Sequence, residues 1–217
     1  WMGSLLPSPV NGVWADVHSD ATLTRLCFLG IGAHRLERLS GDAVADEAAA
    51  AFVVRTNMLS ELSVREGYAS YGGDAYFDAG WRVLRIVRRE LAPGGARERS
   101  YAPGDSRWEY AKFAFRGSLV TLVTLVDHLH ELHLQWTAAL VKAKREALEP
   151  DHPVRRLLTP FTFGTIGVND RAHDHLISPH GMAERCFALD AAGLQAAWRA
   201  APRLVRGVVC AKGSSES

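Results

Sequence analysis

The sequence predicts a mainly α fold with one long buried helix and a small β-hairpin, and three observations predict it. From Trp108 to about Leu148 there is no proline and no glycine except Gly117, and apolar residues recur at helical spacing. Arg82 to Leu91 alternates Val83, Leu84, Ile86, Val87 and Leu91 with arginines, and Pro93-Gly94-Gly95 follows as a turn. Ser19 and Asp20 stand ahead of an apolar helical run as a helix start requires.

In chain order, Ser19 or Asp20 caps a helix through Leu23, Leu26, Cys27 and Phe28, which Gly30 and Gly32 stop. Asp42 to Leu62 reads as a second helix because its alanine-rich first half favours helix by propensity. Gly72-Gly73 and Gly80 punctuate a loop, and Ala96 to Tyr101 returns from the turn to complete the hairpin. In the long helix, Leu119, Leu122, Val123, Val126, Leu129, Leu132 and Trp136 surround a histidine cluster, which predicts burial on most sides. His152-Pro153 reads as a helix or turn start.

Composition excludes several classes. At 217 residues and 47% apolar content the chain can bury a substantial core. Its net charge of +1 gives no field favouring nucleic acid. Cys27, Cys186 and Cys210 are odd in number and widely spaced, against a disulfide framework or zinc ribbon and in favour of a reduced, intracellular setting. Trp1 precedes Met2 with no secretory pattern after it, which reads as a chain beginning inside a longer reading frame. No apolar run reaches the roughly twenty uncharged residues of a membrane-spanning helix.

The chemistry concentrates in Asp127-His128-Leu129-His130-Glu131-Leu132-His133. Imidazole is the commonest protein metal ligand, so a cluster of three suggests part of a metal site. In a regular α-helix, residues five apart diverge by about 140°, too far for His128 and His133 to share an ion. One π-type turn brings them into line, and such turns concentrate at functional sites. His130 and His133, three apart, share a face without distortion. Spacing alone leaves both pairs open. Each histidine also has an ordinary reading as a hydrogen-bonded core or surface residue. The zincin motif is absent, because His130-Glu131-Leu132-His133 is one residue short of His-Glu-x-x-His. A zinc or nickel site from His128, His130 and His133 would need a carboxylate or thiolate from elsewhere.

Several pieces together resemble the lipoxygenase family. Trp108-Glu109-Tyr110-Ala111-Lys112 is followed by His128 and His133 as His-x4-His, then by His152-Pro153-Val154, Leu157-Leu158-Thr159-Pro160, Asn169-Asp170-Arg171-Ala172 and Leu176-Ile177. The register is that of the family except for one extra residue before His152. Upstream, Asp20 to Arg25 and Gly30 resemble the family's acidic-x-x-aromatic-x-Arg segment and its glycine turn. Downstream, Pro202-Arg203-Leu204-Val205-Arg206-Gly207 resembles the family's Pro-x-Asp-Leu-x-x-Arg-Gly segment, so residues 14–208 are covered, with 1–13 and 209–217 as tails.

The resemblance implies a fragment of the lipoxygenase helical catalytic domain, ending before the third histidine and the terminal isoleucine carboxylate. It implies non-haem iron, with His128 and His133 as the first two ligands and His130 turned away. It implies oxygenation of polyunsaturated fatty acids by molecular oxygen to hydroperoxides, in oxylipin metabolism. Substrate-binding residues are not identified, though Arg25 could meet a fatty-acid carboxylate as well as form an ion pair. Trp108 and Lys112 would anchor the ligand helix, and Asn169 would satisfy backbone groups in a buried turn. The implied location is cytoplasmic, with a plastid as the alternative, and lipid contact would come through regions outside the chain.

The chain departs from the family at Val123, Trp136-Thr137, Phe161 and Gly30-Ile31-Gly32-Ala33. With two imidazoles alone, iron would bind weakly and the chain by itself would be inactive. A non-catalytic lipoxygenase-like helical binding domain is the alternative from a different functional class.

Overall fold

The computed structural model describes residues 16–39, 50–92 and 95–204. The chain forms two compact units, Trp1–Glu61 with Ser70–Val120, and Leu62–Ala69 with Thr121–Ser217. The described residues are 55% helical with one small antiparallel sheet.

Among the described residues of the first unit, the first helix is α1, Asp20–Phe28. Ser19 caps it, its hydroxyl accepting the Thr22 N–H at 3.1 Å, and Gly32 N–H closes the far end on Leu26 O at 3.0 Å. Five strands follow in meander order: β1 Leu36–Arg38, β2 Phe52–Arg55, β3 Asp74–Phe77, β4 Val83–Ala92 and β5 Gly95–Tyr101. The β4–β5 hairpin is the one expected from sequence, with Ile86 opposite Tyr101 and Ala92 opposite Gly95. Its turn residues Pro93 and Gly94 lie outside the described residues.

The expected helix over Asp42 to Leu62 is corrected in its second half. Phe52-Val53-Val54-Arg55 is a strand paired with β1 on one side and β3 on the other, followed by a single 3₁₀ turn, Asn57–Leu59. Aromatic and β-branched residues fit a pleated surface better than a helix, and burial between two strands overrides the neighbouring alanines. The alanine-rich half lies largely outside the described residues, as do both expected tails.

β3 occupies part of what the sequence presents as a loop, because glycines precede and follow it. Gly72 and Gly73 hold φ of +105° and +147°, backbone that disfavours a side chain, and a Cβ on Gly73 would stand 3.2 Å from Ile86 Cγ2. They let the chain turn tightly into the sheet.

The long helical stretch begins as α2, Trp108–Leu122. Trp108, Ala111, Phe115, Leu119 and Leu122 are buried at three- and four-residue spacing, the stripe of an amphipathic helix. Trp108 and Lys112 anchor its start. Trp108 Nε1 donates to Asp20 Oδ1 at 2.9 Å, and Lys112 Nζ donates to the same oxygen at 2.8 Å and to His18 O at 2.6 Å. Burial pulls the Lys112 pKa down, but its bonds to Asp20 and Glu109 outweigh that and leave it above the ordinary lysine value.

The second unit continues the chain through a π-helical segment, Val123–Trp136, into α3, Thr137–Glu146. Then come α4 Pro153–Thr162, α5 Thr165–Ala172, a short π turn His173–Ile177, α6 Met182–Cys186 and α7 Ala191–Leu204. His152 caps α4 as expected, its Nδ1 accepting the Val154 N–H at 3.2 Å, and Pro153 fills the first helical position.

Residues 62–69 are bound to the start of α7. Val64 bridges to Leu189, and Asp190 caps the helix by accepting the Gly193 N–H at 2.7 Å. Hydrogen bonds from the Ser63 hydroxyl and the Gly193 amide hold the Asp190 carboxyl below the usual range. Gly193 lies so close that an added Cβ would collide with the Ser63 carbonyl oxygen.

The expectation that the long helix is buried on most sides is corrected here. Leu125 and Val126 are buried, but Leu132 is 51% and Trp136 64% exposed. Apolar residues at helical spacing mark a face able to pack, and within the described residues that face is open around the histidines. Among the described residues no helix is long and apolar enough to cross a membrane.

Candidate metal centre

The π segment is the local structure that decides which histidines meet. Its i to i+5 hydrogen bonding persists to its end, where the Thr137 N–H bonds Leu132 O and the Thr137 hydroxyl adds a bond to the same carbonyl at 2.8 Å. Wider winding removes the angular separation that an α-helix imposes on residues five apart. The His128 and His133 rings accordingly lie with centroids 4.6 Å apart and planes at 85°.

His130 does not join them. Its ring lies 6.5 Å from the Trp198 ring of α7. Its Nδ1 is buried with no hydrogen-bond partner among the described residues. The two pairings left open by spacing are separated by this geometry: His128 and His133 are in ring contact, and His130 faces α7. Among the described residues, no group of three His, Cys, Asp or Glu is placed to hold a metal ion. A three-histidine zinc or nickel site therefore has no geometric support.

Asn169 has a different setting from the expected buried turn. It is 8% exposed and sits within helix α5. Its Oδ1 is 3.1 Å from His133 Nδ1, and its Nδ2 donates to the His133 carbonyl at 2.6 Å. It does satisfy a backbone carbonyl, that of a candidate ligand. Sequence reading misses this link, since a separation of 36 residues carries no periodic signal. It also misses Trp198. A small opening of about 270 Å³ lies beside Asn169, lined by Leu134, Ala138, Ile166, Asp170 and His173.

In the first unit, Arg25 lines a separate cleft of about 660 Å³ with Phe28, Leu29, Trp81 and Val83. Trp81 stacks on Phe28 at 4.7 Å there and holds φ of +66°.

The donors fit a redox-active metal in part. Imidazole nitrogen suits iron and manganese centres completed by further nitrogen or carboxylate ligands. A histidine whose other ring nitrogen is hydrogen-bonded is the usual form of a protein metal ligand.

The lipoxygenase family model matches residues 96–198. No curated protein matches the chain in sequence. A 9R-lipoxygenase from Cyanothece PCC8801 has a similar structure, with a TM-score of 0.67 at 21% identity over 90% of this chain and 30% of that one. Manganese lipoxygenase of Gaeumannomyces graminis, solved with part of zonadhesin of Komagataella pastoris, gives 0.66 at 18% identity over 88% and 38%. A further manganese lipoxygenase structure gives 0.60 at 16% identity over 88% and 37%. The chain thus spans between 30% and 38% of the length of these structures.

These likenesses define the fold as that of the lipoxygenases, a helical body with a small antiparallel sheet. Residues 96–198, which hold both candidate ligands, are the part of the chain that the lipoxygenase family model matches.

Proposed function

We propose that this chain contributes His128 and His133 as two ligands of the non-haem metal centre of a lipoxygenase-type dioxygenase. The observation that carries the reading is the ring pair on the π segment, 4.6 Å apart where α-helical winding would part them. The metal is iron by the family resemblance. Manganese is the direct competitor, because two of the similar structures are of manganese lipoxygenases. When bound and completed by ligands outside residues 1–217, such a metal supplies one-electron redox chemistry toward a polyunsaturated fatty acid and molecular oxygen. The chain's own residues bind and orient it. His128 and His133 donate nitrogen, Asn169 holds the His133 ring, and α2 and α3 fix the two ends of the histidine segment.

The 217-residue chain alone is read as inactive, since two imidazoles make an incomplete site. The reading places 14–208 within a catalytic domain working in the cytoplasm. A polypeptide continued through the natural reading frame should bind about one metal ion and consume oxygen with linoleate. His128→Ala or His133→Ala should abolish both, and metal analysis separates iron from manganese. If those variants keep metal while His130→Ala loses it, the ligand assignment is wrong. If the continued polypeptide binds no metal, the non-catalytic lipoxygenase-like binding domain takes its place.

A further inference from the structure

We infer that Asn169 is a two-point clamp on His133, fixing both the proton position on its ring and the π winding of its backbone. The His133 carbonyl oxygen can only accept a hydrogen bond, so the group 2.6 Å from it must be the Asn169 amide nitrogen. That places Oδ1 toward the ring, where it too can only accept. The His133 Nδ1 therefore carries a hydrogen, which in the neutral ring leaves the lone pair on Nε2. Both atoms of one buried carboxamide are spent on one histidine, and each assignment forces the other.

The backbone half of the clamp acts on winding. His133 lies near the junction where the π segment gives way to α3 at Thr137. There its carbonyl takes a bond from outside the helix. An external donor stabilises the carbonyl in this orientation, and the Thr137 hydroxyl does the same for the neighbouring Leu132 carbonyl at 2.8 Å. A long π segment is otherwise unfavourable, so partners that reward its geometry have a clear role. Asn169 is thus a positioning residue, holding the His133 ring where its centroid lies 4.6 Å from that of His128.

The clamp rests on the metal-ligand reading only for its purpose. Its geometry can be tested on the metal-free chain. The measurement is long-range proton–nitrogen NMR of the histidine rings in the full 217-residue protein, with His133 assigned by its loss in His133→Gln. The native protein should show a single His133 tautomer with the hydrogen on Nδ1, and a ring-to-ring NOE between His128 and His133. Asn169→Asp keeps an acceptor for Nδ1–H but faces His133 O with oxygen, so it should retain the tautomer and lose the NOE. Asn169→Leu should lose both while circular dichroism shows the helices intact.

An Nε2–H tautomer in the native protein overturns the clamp, and that result needs no variant to fold. An unchanged tautomer in Asn169→Leu overturns its ring half, and an unchanged NOE in Asn169→Asp overturns its backbone half. Cobalt(II) titration separates the clamp from the proposed function. Asn169→Leu should weaken cobalt binding by roughly 10- to 100-fold, the size expected on losing a partner of a ligand histidine. If the tautomer is as stated but His133→Ala leaves cobalt binding unchanged, the clamp stands and the metal reading falls.

Discussion

Phe115 and Phe163 are the same residue in two units with opposite fates. In the sheet-bearing unit Phe115 is 0% exposed, while in the helical unit Phe163 is 86% exposed. The contrast extends to their neighbourhoods. Leu23, Val53, Val54, Ala75, Phe77 and Ile86 are closed off entirely in the first unit, while Leu157, Phe161 and Val168 are 60% or more exposed in the second. A helical pattern of apolar residues specifies a face able to pack, and only the three-dimensional context decides whether that face is covered. The first unit encloses a core of such side chains, though Leu29 and Phe113 stay 74% and 69% exposed on it, and the second leaves more of its apolar side chains open.

The widest separation is expected from truncating the closed side. Phe115→Ala should cost about 3–5 kcal/mol, the usual range for removing a buried aromatic ring, measured by chemical denaturation. A loss under about 1 kcal/mol would show the core of the first unit to be looser than described. Gly193→Ala tests whether the open unit nevertheless has a tightly fitted part. Its Cβ would collide with the Ser63 backbone oxygen, so a loss of roughly 2–4 kcal/mol, with faster amide exchange at residues 62–69, is expected.

A smaller effect comes from Cys27. Burial pushes its thiol up to about 12, against a modest opposing pull from Arg116. An unfolded thiol ionises near pH 8.5, so between there and about pH 12 the native protein retains a proton that the unfolded chain releases. Stability should therefore fall as pH rises through that interval, and Cys27→Ala should flatten the fall. At pH 8 the exposed Cys186 should alkylate much faster than Cys27, as peptide mass spectrometry would show. The smallest change is Phe163→Ala, expected within about 0.5 kcal/mol of the native protein. A loss approaching that of Phe115→Ala would end the comparison.

What the sequence makes legible follows the reach of each signal. The Ser19 cap, the β4–β5 hairpin, the His152-Pro153 start and the extent of the long helix are local patterns, and the structure contains all of them. Strands β2 and β3 escape because alanines and glycines beside them give stronger local signals than their own short runs. The π turn can be posed as a geometric requirement of a five-residue spacing, but not decided. Asn169 is visible as part of a motif, while its bond to His133 depends on how α5 packs. Exposure of the histidine face is not legible, since apolar spacing says which side can be buried and not whether it is.

The fourteen-residue π segment changes what a motif on this chain means. Helical site patterns are usually sought at intervals of three or four, and such a search would pair His130 with His133 and pass over His128. Here the meaningful interval is set by winding, so one inserted codon between 128 and 133 would part the pair while leaving composition, length and hydropathy almost unchanged.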